Sequence, residues 1–278
     1  MKVGVCITVA SAEDIITKIP KAAAEGFDNC QIISWTPPLW TDENACLLKK
    51  TLEENGMIAS AFWCGWEGPR VWNSYDGPLT LGLVPADYRW ARAKNLCDGG
   101  DFANKVGLKN IITHMGFIPE NPNDPNFKPF CHAVKYVAQH LEKNGQFMLF
   151  ETGQETPATM LRSFEEIGME NLGVNYDMAN LISYGKANPV DALDTIGKYV
   201  MGVHAKDAVY PTTGKRGGGE VKMGTGKVDF EKVLKGLHEL GYDGYVTIER
   251  EIEGEQQTKD IRESKVFLEG IIEKIGAK

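Results

Sequence analysis

Tyr245-Val-Thr-Ile-Glu249 is a strand-like run that ends in a carboxylate, and three earlier stretches repeat its design. Phe147-Met-Leu-Phe-Glu151 ends in Glu, Leu172-Gly-Val-Asn-Tyr-Asp177 in Asp, and Val200-Met-Gly-Val-His204 in His. Each is a short apolar run with a metal-competent side chain at its C-terminal edge. Their spacing, roughly one strand-plus-helix unit and then a longer one, suits neighbouring strands of a parallel barrel. In such barrels the active site gathers at the C-terminal strand ends. Four ligands on neighbouring strands can therefore converge on one ion.

Working outward, the same alternation extends to the N-terminus. Strands are expected at Val3–Thr8, Asn29–Trp35, Ile58–Trp63 and Leu108–His114, ahead of the four already named. A helix beginning at Ala12 carries Ile15, Ile16 and Ile19 at helical spacing and closes at Gly26. A second, from about Thr41 to Asn55, carries Leu47, Leu48 and Leu52 and stops at Gly56, where a positive φ is needed. Further helices are expected near 86–106, 131–144, 157–167, 189–198, 230–240 and 256–275. In the last, Ile261, Val266, Phe267, Ile271 and Ile272 form one apolar face. Eight strands alternating with eight helices favour one α/β domain over residues 1–278, a (β/α)8 TIM barrel rather than a doubly wound sheet. Two stretches break the rhythm. Cys64–Pro85 holds Trp66, Arg70, Trp72 and Tyr75 without a period, and Pro119–Pro129 is a Pro-rich connection. Aperiodic loops this long in a compact domain are usually functional, and the first is expected to be a lid or a subunit contact.

Composition narrows the function. A net charge of −8 disfavours binding to a phosphate backbone, so nucleic acid is not an expected partner. The six cysteines are scattered and contain no Cys-x-x-Cys, which points to free, largely buried thiols. Lys2 followed by Val3–Ala10 loosely imitates a signal peptide, but the single Lys and short apolar run favour a first strand and a cytoplasmic protein. No run approaches the 20 or so apolar residues needed to span a membrane. The ligand set itself, Glu151, Asp177, His204 and Glu249, is hard and oxygen-rich. It suits Mn²⁺ best, then Mg²⁺ or Co²⁺, with Zn²⁺ less favoured. Any one of the four is also what a solvated strand end looks like; the series of four, each at the same edge, argues for a site.

His204-Ala-Lys-Asp207, Gly224-Thr-Gly-Lys-Val-Asp-Phe230 and Val246-Thr-Ile-Glu249 resemble, in this order and spacing, the C-terminal half of the sugar-phosphate isomerase/epimerase superfamily, the xylose-isomerase-like barrels. Glu151 and Asp177 stand where that family's first two metal ligands fall. The residue-level likeness begins at about Phe147, while the architectural one covers the chain. Asp177-Met-Ala-Asn180 departs from the Asp-x-x-His of many ketose 3-epimerases and, with Leu181, is more similar to the branch that includes pentulose-phosphate epimerases. The resemblance implies a metal-dependent isomerase or epimerase of a keto-sugar or sugar phosphate. A divalent ion held by the substrate's carbonyl and neighbouring hydroxyl acidifies the C–H between them. Glu151 and Glu249, besides ligating, would then remove and return the proton through an enediolate. Return to the opposite face inverts a carbon; return on the same side moves the carbonyl. A lyase or dehydratase on the same site and a non-catalytic sugar-binding barrel are the alternatives. A metal-dependent abasic-site endonuclease, also present in this barrel family, would need more histidines and a basic face.

Around the ligands, His114 and Asn180 are candidate substrate contacts, and Lys206 and Arg216 candidate donors to a substrate oxygen or phosphate. Asp207 is expected to orient Lys206 or a ligand. Trp63 and Trp66, with Trp35, offer aromatic faces to the apolar side of a sugar. His132, His140 and His238 fall on expected helices. A homo-oligomer is compatible with the sequence, which selects no particular assembly.

Overall fold

The computed structural model describes residues 1–278, and its sheet is a closed barrel of eight parallel strands. These are β1 (Lys2–Thr8), β2 (Asn29–Ser34), β3 (Ile58–Cys64), β4 (Asn110–Thr113), β5 (Phe147–Glu151), β6 (Leu172–Asp177), β7 (Val200–Ala205) and β8 (Tyr245–Ile248). They are paired in sequence order, and β8 closes on β1. The helices between them are α1 (Ala12–Ala24), α2 (Asp42–Glu54), α3 (Arg89–Val106), α4 (Phe127–Lys143), α5 (Pro157–Ile167), α6 (Pro189–Ile196), α7 (Phe230–Glu239) and α8 (Glu255–Lys274). β2 and β6 are buried at every position, as expected of parallel strands covered on both faces. Inside the barrel, Ile33, Ala61, Trp63, Ile112 and Leu149 pack together, so the lumen below the site is filled with side chains.

Local chemistry fixes the ends of the helices. Ser11, Thr41, Thr156 and Asp229 each accept a hydrogen bond from the backbone N–H three residues on, satisfying a donor the helix leaves unpaired. Gly26 and Gly56, at φ of +80° and +61°, turn the chain out of α1 and α2.

Several expectations need correction. Ile16 is 52% exposed, and Val266 and Phe267 are 71% and 39% exposed. The buried stripe of α8 is instead Asp260, Ser264, Leu268 and Ile272 at i, i+4 spacing, with Ile261 and Ile271 partly buried beside it. Phe267 lies on an adjacent face and meets the Phe230 ring edge-on at 5.5 Å. α4 starts at Phe127, four residues before the expected Cys131, because Pro129 falls in its first turn, where a missing N–H costs nothing. Three small elements had no periodic signal: a helical turn at Gly77–Thr80, a helix at Met178–Ser183, and an antiparallel pair of Asp207–Ala208 with Glu220–Val221.

The aperiodic stretch after β3 is pinned from α3. Arg92 donates to the carbonyls of Gly82 (2.7 Å), Pro69 (2.7 Å) and Glu67 (3.3 Å), and Arg89 to Leu83 (2.9 Å) and Val84. Both guanidiniums are buried. They supply the donors that a loop without a ladder lacks. Four of the six cysteines are buried, Cys6 is half-buried and Cys46 exposed, and none is in a disulfide. No helix is long and apolar enough to cross a membrane.

Candidate metal centre and substrate cavity

The register of the barrel brings the four ligand residues to one level. Asp177 on β6 pairs directly with His204 on β7, His204 with Thr247 on β8, and Glu151 on β5 with Asn175 on β6. Each offers one ligand atom, and the four atoms lie within 4.8 Å of one another. His204 Nδ1 is 3.1 Å from Glu151 Oε1, 3.3 Å from Glu249 Oε2 and 3.9 Å from Asp177 Oδ2. The expected ligand set is therefore one cluster.

The residues that hold this cluster explain its geometry. Asp177 is the N-cap of the 178–183 helix: Oδ1 accepts from the Asn180 N–H at 2.7 Å, which leaves Oδ2 turned toward the site. That Oδ2 is 3.0 Å from Lys206 Nζ yet accepts no hydrogen bond. Thr152 locks β5 to β6, its hydroxyl donating to the Asp177 carbonyl and accepting from the Asp177 N–H. Glu151 Oε1 accepts from Asn180 Nδ2 at 3.3 Å, and Oε2 from the Trp63 indole N–H. On its far side His204 donates from Nε2 to Gln31 Oε1 at 2.7 Å, and Gln31 is held in turn by Asn175 Oδ1 at 3.4 Å. This bond sets the imidazole so that Nδ1 faces the three carboxylates.

The charges are concentrated out of reach of water. Burial lifts the Asp177 carboxyl to about 7, with Lys206 opposing and the neighbouring carboxylates adding to the rise. Burial acts the same way on Glu249, but Lys206 and His204 outweigh it and hold that carboxyl well below its ordinary value. His204 is lowered by burial, yet Cys6, Glu151 and Glu249 carry it well above its usual range. Three carboxylates and an imidazole around one point suit a cation there, and Asp177 Oδ2, 3.0 Å from Lys206 Nζ but without a hydrogen bond from it, is free to ligate one. The residues present fit a hard divalent ion. Cys6 Sγ, 3.5 Å from His204 Nε2, forms a second grouping with His204 and Glu249. Burial keeps its thiol up at about 11.

Above the cluster opens a cavity of about 610 Å³, lined on one side by Trp35, Trp63, Trp72 and His114 and on the other by Asn180, Lys206, Glu249 and Glu251. The aromatic side is continuous: Trp35 lies 4.7 Å from Trp63 and 6.1 Å from Trp72, and His114 5.2 Å from Trp72 between ring centroids. His114, 6% exposed, has Nε2 3.6 Å from Glu151 Oε1, and its Nδ1 lacks a partner. Lys206 Nζ lies 2.7 Å from Glu249 Oε2 and 3.1 Å from Glu251 Oε1, besides Asp177. Its ammonium thus donates to Glu249 and Glu251 and lies against Asp177. Arg216 lines the cavity mouth, and Arg70 stacks over Trp35 at 4.5 Å.

A family model described as a xylose isomerase-like TIM barrel matches residues 19–270. The chain belongs to that family. The crystal structure of a xylose isomerase domain protein from Planctomyces limnophilus is 33% identical, with 99% of each chain covered and a TM-score of 0.92. The 3-keto-D-glucoside 4-epimerase of E. coli is 18% identical over 97% of this chain and 99% of that one, with a TM-score of 0.73. An L-ribulose 3-epimerase is 16% identical over 99% and 96%, with a TM-score of 0.72. At these last two identities the likeness is one of fold.

Two residues of this xylose isomerase-like barrel sit elsewhere than the sequence suggested. Trp66 is 1% exposed and lies behind the aromatic wall, 5.1 Å from Trp35, with Arg92 stacked on it; Trp72, 43% exposed, takes the place on the cavity. Asp207 orients neither Lys206 nor a ligand. It gathers the amides of Ala208, Gly224, Gly226 and Val228 at 2.8–3.1 Å. A Cβ at position 226 would fall 2.2 Å from Asp207 Oδ1, so the Gly-Thr-Gly motif is a seat for this carboxylate. Gln31 supports the site without having stood out among the candidates; its signal in the sequence is a lone amide within the otherwise apolar Cys30–Ile33. His140 bonds Asp101 at 2.8 Å on the outer helices, away from the cavity.

Proposed function

We propose that this protein is a divalent-metal-dependent epimerase or isomerase of a keto-sugar, with Glu151 and Glu249 as its proton-transferring pair. The observation that carries the reading is the placement of these two carboxylates. They come from β5 and β8, three strands apart in the ring, and reach the same imidazole nitrogen from separate positions, 3.1 and 3.3 Å away. Glu151, Asp177, His204 and Glu249 would hold the ion, preferably Mn²⁺, which when bound polarises a substrate carbonyl and acidifies the neighbouring C–H.

The chain's own residues do the rest. Lys206 keeps Glu249 ionised and fixes its Oε2 at 2.7 Å. The Trp63 indole and Asn180 fix both oxygens of Glu151. Two bases held at different positions can work on opposite faces of a flat intermediate, which favours inversion over carbonyl transfer. Trp35 and Trp72 shield one side of the cavity and suit the C–H face of a sugar. The two epimerases that share the fold lend support: each is named for inverting a carbon next to a carbonyl, C4 of a 3-keto sugar or C3 of a 2-ketose.

The test is proton exchange. Protein restored with Mn²⁺ is incubated in D₂O with a panel of ketoses, ketose phosphates and keto-glycosides, and each sugar is followed by proton NMR. Metal-dependent loss of the signal next to a carbonyl is expected, with a new diastereomer accumulating. Loss of water from the substrate would instead identify a lyase. No exchange across the panel by metal-loaded protein would remove the proposal.

A further inference from the structure

The sugar cavity has a neighbour. A second cavity, of about 550 Å³, lies between the C-terminal end of β1, helix α1 and the head of α8. Ile33, Glu249 and Glu251 line both cavities, so the two adjoin. The cluster reaches this side as well: Cys6 lines the second cavity and lies 3.5 Å from His204 Nε2. Whatever sits over the metal centre has the second cavity directly beside it.

The walls define the chemistry of an occupant. Their apolar part comes from Ala22, Phe27, Ile248, Ile252 and Ile261. Three of the four cations around it are in ion pairs: Lys18 with Asp14 at 2.9 Å, Arg250 with Glu220 and Asp260 at 2.9 Å each, and Arg262 with Glu25. Lys21 donates to Thr258 Oγ1 at 3.4 Å. Glu25, Glu249, Glu251 and Glu253 also line the walls, so a phosphate or carboxylate would meet four carboxylates for one ammonium outside an ion pair, whereas an uncharged apolar group meets the apolar residues with the hydroxyl and amide groups of Thr258 and Gln257 at its edge. We infer that the second cavity is a substituent subsite of the same active centre, taking the flat, uncharged apolar part of a glycoside whose sugar ring lies over the metal ligands. This rests on the proposed sugar chemistry for the role of the first cavity, and it narrows the substrate class from free ketoses to keto-glycosides with an aryl or similar aglycone.

Binding can test the subsite without turnover. Phenyl and methyl glycosides of a set of pyranoses, which lack the carbonyl and do not react, are titrated calorimetrically into the Mn²⁺-restored protein. A phenyl glycoside is expected to bind about ten-fold or more tightly than its methyl counterpart for at least one sugar. Ala22→Trp on α1 and Ile261→Trp on α8 fill the cavity from its two helices and should each abolish that preference while leaving methyl glycoside binding unchanged. Both positions are partly exposed; a variant whose melting temperature falls is replaced by Ile252→Trp. Absence of a phenyl preference throughout the set, or its survival in the filled variants, overturns the subsite. Equal slowing of proton exchange for every substrate in the filled variants, with no change in binding, would overturn it too, marking the cavity as a water path to Glu249. A phenyl preference without proton exchange would bring down the proposed reaction and keep the subsite; exchange without the preference would do the reverse.

Discussion

The two halves of the barrel furnish the same cavity with opposite materials. From β5 to β8 come charges: Glu151, Asp177, His204, Lys206 and Glu249, each on a strand end or one or two residues beyond it. From β2, β3 and the loop pinned by Arg89 and Arg92 come Trp35, Trp63, Trp72 and Arg70. In the proposed reaction the first half transfers the proton and the second holds the carbon skeleton. The charged groups all sit at strand ends, which the barrel fixes, while the aromatic wall is shared between the ends of β2 and β3 and the loop that follows.

If that division holds, the largest effect belongs to Glu249→Gln. The amide keeps the size of the side chain and loses the base, so proton exchange should fall by about 10²- to 10⁴-fold with the melting temperature little changed. A Gln variant that exchanges normally while metal-loaded would break the comparison at once. Next comes Gln31→Leu, which leaves all four ligands in place but removes the acceptor that sets the His204 ring. Metal affinity, read by titration, should drop by about 10- to 100-fold. On the aromatic side, Trp72→Ala should raise KM by about 3- to 10-fold with kcat unchanged, since a face-on contact of this kind contributes roughly 1 kcal/mol. A fall in kcat without a rise in KM would show that the loop takes part in chemistry after all.

The smallest effect sharpens the charged half. Glu155, four residues beyond Glu151, is 1% exposed, and neither of its carboxyl oxygens has a partner. Burial raises its pKa from the ordinary 4.5 to about 8. Between those values the folded chain binds the proton more tightly than the unfolded one, so the contribution of this group to stability is full below 4.5 and declines as pH rises through about 8. Glu155→Gln should flatten that decline, seen as a shallower fall of melting temperature with pH. An unchanged slope would mean the carboxyl is solvated in the folded protein.

The same division governs how much could be read in advance. The ligand set was legible because each member ends an apolar run, and the run alone fixes its strand and level. Asp207 was misjudged because its partners are backbone amides, which every residue has; only the glycines at 224 and 226 hinted that something had to approach closely. Trp66 and Trp72 were interchangeable as letters, since a loop without a period does not declare which ring turns inward. In α8, Val266 and Phe267 completed an apolar count, whereas the helix buries Asp260 and Ser264, the former held by Arg250 and Gln256. Paired polar groups can occupy a buried stripe that hydrophobicity alone would assign elsewhere.

Glu249 rides on the strand that closes the ring against β1, and its partners in the cluster are on β5, β6 and β7. The first and last strands are the most distant in sequence, and their pairing carries the largest loop-closure cost in the sheet. β8 is also paired with β7, so the four residues of the cluster sit on one continuous run of sheet, β5 to β8, that does not need that seam. The chemistry-bearing half can therefore come together from strands that are neighbours in sequence, leaving the β1–β8 closure as a separate step of assembly.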